Sequence, residues 1–90
     1  MTHELKCWPV PYAAVFERTK THEIRKADRN YQVGDVLVLR EWKPSMHVEG
    51  DEGDYTGAQV SVIVTYITRG PAWGLAPDLC VMSITRRDDP

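Results

Sequence analysis

Between Gln59 and Thr68 the chain reads Gln-Val-Ser-Val-Ile-Val-Thr-Tyr-Ile-Thr, a run dominated by β-branched residues and free of glycine, proline and acid. Two heavy atoms on Cβ crowd a helix but sit well on a pleated surface. The side chains alternate, with Val60, Val62, Val64 and Tyr66 on one face and Ser61, Ile63, Thr65 and Ile67 on the other. A chain with this segment at its heart is committed to a β frame.

The flanking segments agree with that frame. Val36 to Leu39 is apolar on both faces, as expected of a strand covered on both sides, and Arg40, Glu41 and Trp42 continue it into solvent or a cleft. His3 to Cys7 alternates Leu5 and Cys7 against Glu4 and Lys6. Pro9 and Pro11 end that strand, and proline is tolerated in a first helical turn, so a short helix is expected from Pro11 to Arg18, packing Tyr12, Val15 and Phe16 on the sheet. Thr19 to Lys26 reads as a strand with Thr21, Glu23 and Arg25 on one face and His22 and Ile24 on the other. Leu79 to Thr85 is the last strand.

Between these, Tyr31 to Asp35 is a loop closed by Gly34, residues 43–54 form a long acidic hairpin loop, residues 69–77 form a second loop, and residues 86–90 form a frayed tail. The expectation is one domain over residues 1–90, mainly β with one or two short helices (α+β), built as a small, partly open β-barrel of five to six strands.

Eleven basic and thirteen acidic residues give a net charge of -2, which excludes a generally cationic nucleic-acid coat. A local basic patch stays open, because the acids cluster at Glu49, Asp51, Glu52, Asp54, Asp88 and Asp89. No apolar run reaches ~18 residues and no basic region precedes an apolar one at the start, so a soluble, cytoplasmic protein with no membrane contact is expected. Cys7, beside Trp8 and in phase with Leu5, and Cys80, between Leu79 and Val81, read as reduced core thiols. His3, His22 and His47 share no ligand-like spacing with them, so neither a metal nor a cofactor is expected.

Polar information concentrates between Arg18 and Asp35. Lys20, Glu23 and Arg25 are followed at once by Lys26, Asp28 and Arg29. An arginine offers a rigid fork to a phosphate or base edge, and a carboxylate beside it can orient that fork or accept from an exocyclic amine. A second cluster of the same kind can extend the patch as a phosphate clamp. His3 begins a strand expected near this stretch; Trp8, Tyr31, Trp42 and Trp73 each read as core or as a platform for a stacked base, with Trp42 and Trp73, beside charged or loop residues, the better candidates.

The segment Lys20-x-x-Glu23-x-Arg25 resembles the signature of ASCH domains, Gly-x-Lys-x-x-Glu-x-Arg, with Arg18 in place of the leading glycine. It looks closest to a compact subgroup sharing His3-Glu4-Leu5-Lys6, Lys20 to Arg25, Asp28-Arg29, Val33-Gly34-Asp35, Tyr55-Thr56-Gly57 and Val64 to Ile67. The resemblance implies a PUA-like β-barrel whose cleft beside the motif strand takes RNA or a modified nucleoside. Taken with the residue reading above, the expected ligand-binding set is His3, Lys6, Lys20, Glu23, Arg25, Lys26, Asp28, Arg29 and Trp42. A minority of such domains resemble amidohydrolases that act on acylated cytidine through a lysine, a threonine and a glutamate. Here Lys20 would match the lysine, Glu23 stands at the threonine's place, and only Asp78 follows the long strand. An enzyme of that kind, or a ribonuclease, with Lys20 and Glu23 as catalytic residues is one alternative. A module that meets a protein partner through its acidic loop is the other.

Overall fold

The computed structural model describes residues 1–45 and 52–88. Strand β1 (Thr2–Cys7) leads into helix α1 (Pro9–Phe16), followed by β2 (His22–Lys26), β3 (Val36–Pro44), β4 (Gly53–Arg69), a 3-10 turn at Ala72–Gly74 and β5 (Leu79–Arg86). The five strands form one sheet in the order β1-β3-β4-β5-β2, with β1 and β3 parallel and the other pairs antiparallel. The fold is mainly β with one short helix, a small sheet curled into a half-barrel. Its core is lined by Leu5, Cys7, Leu37, Leu39, Val60, Val62, Val64, Cys80, Met82 and Ile84, closed by Tyr12, Val15 and Tyr31.

Strand β4 organises the sheet by pairing with β3 along its first part and with β5 along its second. The alternation of Val60, Val62 and Val64 holds, and all three are buried. It then breaks. Val64 pairs with Ile84 but Tyr66 with Ser83, so Thr65 is an extra residue on β4. Such a bulge reverses the parity of everything after it. Tyr66, expected beside the valines, is 65% exposed, and Ile67 packs on the core instead.

Helix α1 begins two residues before the expected start, because Pro9 itself takes the first-turn position. Tyr12 and Val15 are buried, whereas Phe16 is half exposed and lies under the Arg86 guanidinium, 4.8 Å from its ring centroid. The Arg18 amide bonds the Val15 carbonyl and the Thr19 amide bonds the Ala14 carbonyl, the Schellman pattern of helix termination. That pattern needs a left-handed residue after the cap, and Arg18 adopts it at φ 66 where glycine would be free of strain.

The acidic hairpin is shorter than expected. Lys43 pairs with Asp54 and Pro44 with Gly53, and the Ser45 amide bonds the Glu52 carbonyl, so only residues 45–52 lie between the two strands. The loop's acids Glu49 and Asp51 lie outside the described residues. A side chain at Gly53 would collide with the Trp42 ring and the Lys43 carbonyl. The supposed tail also begins later, since Arg86 still belongs to β5. The described helices include none long and apolar enough to cross a membrane.

Candidate functional site

Strands β1 and β2 are the two edges of the sheet, and curling brings them face to face without a ladder between them. An edge strand leaves alternate backbone groups unpaired. Here one arginine of β2 and one of the loop after it cover them: Arg25 Nη2 donates to the Lys6 carbonyl at 2.8 Å, and Arg29 Nη1 reaches the Glu4 carbonyl at 3.4 Å. The gap spanned by these bridges is the cleft.

The face of β2 turned toward the gap carries Glu23, which is 5% exposed, while its neighbour Ile24 is 52% exposed. A buried carboxylate must be compensated. Lys20 Nζ donates to Glu23 Oε1 at 2.7 Å and Arg25 Nε donates to Oε2 at 2.8 Å; Lys20 also donates to the His22 carbonyl. The resulting hollow, about 430 Å³, is lined by Lys6, Cys7, Trp8, Pro11, Lys20, Glu23, Ile24 and Arg25. One wall is apolar and the other carries cations around a single acid. Burial first, and the Glu23 carboxylate second, push the Cys7 thiol up to about 11, so it stays protonated at neutral pH and is no nucleophile.

The expected residues divide into three groups. Lys6, Lys20, Glu23 and Arg25 line the cleft. Lys26, Asp28 and Arg29 line an adjoining hollow of about 250 Å³ with Leu5 and Tyr31, and Arg25 belongs to both. His3 and Trp42 stand apart. His3 is buried, its ring nitrogen 2.8 Å from Asp35 Oδ2 and its ring edge-on to Tyr31, and it lines neither hollow. Trp42 is no open platform: it is 4% exposed, covered by Trp8 at 6.1 Å between ring centroids and by the Lys6 ammonium at 4.1 Å. Trp73 is exposed on the 3-10 turn and likewise lines neither hollow. The aromatic residue at the cleft is Trp8, half exposed, which sequence reasoning ranked as a stacking platform below Trp42 and Trp73. Its position between the end of an edge strand and the first helical proline was the available signal.

Arg25 is therefore more than a rim charge. It joins the two sheet edges through Lys6 and holds Glu23, so Arg25→Ala lowers stability by about 2 kcal/mol, as loss of a hydrogen-bonded charged group does. Thermal denaturation checks this, with an expected fall of roughly 10 °C.

Compared with known proteins, the chain matches over residues 2–84 a family described as a domain of unknown function, DUF3850. The chain belongs to the DUF3850 family. This DUF3850 domain is also similar to an uncharacterized 12.9 kDa protein in the GpA 3′ region of Escherichia phage P2, 37% identical over 71 residues. The match covers 79% of this chain and 58% of the phage protein, so the DUF3850 chain spans less than two thirds of that relative's length.

Proposed function

We propose that the cleft between β1 and β2 binds RNA or a nucleotide-derived ligand in the cytoplasm, as in the PUA-like, ASCH-type domains the chain resembles. The observation that carries this is the amphipathic hollow: a half-exposed indole on one side, and the fixed Lys20–Glu23–Arg25 group on the other. Its volume of about 430 Å³ falls in the range of ligand pockets, roughly 300–1,000 Å³. A base has a planar apolar face for Trp8 and polar edges for the charged wall, and its phosphate suits a site where cations outnumber acids. Lys20 and Glu23 are engaged with each other at 2.7 Å, an arrangement suited to holding a ligand more than to taking a proton from one.

A thermal-shift screen of modified nucleosides and short RNAs against the whole chain tests the proposal, since a ligand that prefers the folded form raises the melting temperature. Trp8→Ala is expected to weaken binding roughly 5- to 150-fold, the range for one stacked base. The melting temperature without ligand should move by no more than about 5 °C, because Trp8 is half exposed. Unchanged affinity in that variant would remove the indole from the site. Acetate released from acylated cytidine, and abolished in Lys20→Ala, would make the same cleft catalytic.

A further inference from the structure

We propose a second anion-binding site, formed by Arg18, Arg86 and Arg87 beyond the C-terminal end of α1, which carries backbone phosphates of a single-stranded RNA. This rests on the reading that a base occupies the cleft, and it makes the ligand a strand of several nucleotides in place of a lone nucleoside.

The hollows of the surface are strung together by shared cations. Lys20 lines both the cleft and a narrow hollow of about 50 Å³ that also holds Arg18 and Arg86. Arg86 then lines the next hollow, about 320 Å³, with Arg87, Gln59 and Ser61. At the other end Arg25 links the cleft to the hollow of Lys26 and Arg29. Eight of the chain's eleven basic residues line this string, against three carboxylates among the described residues, Glu23, Asp28 and Asp88, in a protein whose net charge is -2. Cations so segregated form a track for a polyanion.

The new site is built and held. Arg86 donates to the Phe16 carbonyl at 2.8 Å and to Asp88 through two bonds of 3.0 and 2.9 Å, with its guanidinium over the Phe16 ring. Asp88 also lies 3.8 Å from Arg18 Nη2, so this carboxylate meets two guanidinium groups and holds Arg18 and Arg86 side by side. The Arg87 amide is anchored to the Ser61 carbonyl at 2.9 Å. At Arg18 the chain accepts left-handed backbone strain that glycine would avoid, and keeps a cation there. A base in the cleft must be unstacked, which a single strand allows and a duplex resists, while the phosphates on either side lie along the arginines.

Fluorescence anisotropy with the full chain, a labelled RNA dinucleotide and a labelled RNA octanucleotide tests this. The octanucleotide should bind more tightly, with affinity that falls more steeply in salt. Arg87→Glu should weaken the octanucleotide about tenfold, reduce the slope of its salt dependence by roughly 0.7 for each phosphate no longer neutralised, and leave the dinucleotide unchanged. Arg18→Gly should weaken the octanucleotide too, while its melting temperature stays level or rises, an outcome that a purely structural arginine would not give. Equal octanucleotide affinity in both variants overturns the second site and leaves the cleft standing. If neither RNA binds the folded chain, the cleft reading falls first and takes this site with it. An RNA duplex or a polyglutamate that binds as tightly as the octanucleotide overturns the assignment to single-stranded RNA.

Discussion

Asp35→Asn should lower the melting temperature by roughly 15 °C, a loss of about 3 kcal/mol in a domain of this size. The carboxylate is 5% exposed and accepts three hydrogen bonds: from the His3 ring at 2.8 Å, the Gln32 amide at 3.0 Å and the amino group of Met1 at 3.0 Å. Those donors come from the start of β1 and from the loop that leads into β3. Asp35 thus pins the first strand to the third at the end where Thr2 pairs with Val36. Asparagine keeps the shape but turns an amide group toward donors, leaving at least one of them unpaired in a buried place. Circular-dichroism melting checks the result, and a shift of only a few degrees would show that the network contributes little.

The same residue sets an acid limit. Burial alone would raise the Asp35 carboxyl, but the bonds from His3, the amino terminus and Gln32 outweigh it and hold the group down at about 2, from an ordinary 3.8. The folded value lies below the unfolded one, so the stabilisation is complete above about pH 4 and is lost as pH falls toward 2. Its size is about 2 kcal/mol. In Asp35→Asn that limb of the stability curve should be flat, so native and variant melting temperatures converge in acid.

Local rules made much of the frame legible. The alternation of Val60, Val62 and Val64 placed the core strand, Gly34 marked a turn and indeed sits at φ 94, and Leu5 and Cys7 gave the inner face of β1. What escaped depends on distant partners. No residue near Thr65 announces a bulge, because the bulge exists only relative to β5, and so Tyr66 and Ile67 exchange faces. His3 shares the parity of Leu5, yet its partner Asp35 is 32 positions away. Trp42 sits beside charged residues in sequence and is nonetheless covered, because Trp8 and Lys6 fold over it.

For the cleft, the shared face of Glu23 and Arg25 followed from period two alone. That this face turns inward did not, since a strand carrying Ile24 between two charges ordinarily buries the isoleucine. The inversion arises because β2 is an edge whose inner face meets the unpaired carbonyls of β1, and charged groups satisfy those where an aliphatic chain cannot.

Glu23→Gln should weaken octanucleotide binding more than tenfold and lower stability by about 2 kcal/mol together. Among the described residues Glu23 is the only carboxylate lining the cleft, and it sets the direction of both cations, with Lys20 Nζ on one oxygen and the Arg25 fork on the other. Without its charge the two cations repel, and each is about one-fifth exposed, so both swing toward water. The Arg25 bridge to Lys6 then loosens, and with it the spacing between β1 and β2 that gives the cleft its width. Glu23→Asp separates the two effects. It keeps the charge but draws it back by one methylene, so stability should largely recover while affinity recovers less, since recognition depends on where the fork points and folding mainly on the charge being met. If Glu23→Gln, measured well below its melting temperature, binds the octanucleotide as the native chain does, then the Lys20–Glu23–Arg25 group closes the sheet and nothing more, and the ligand must be held elsewhere.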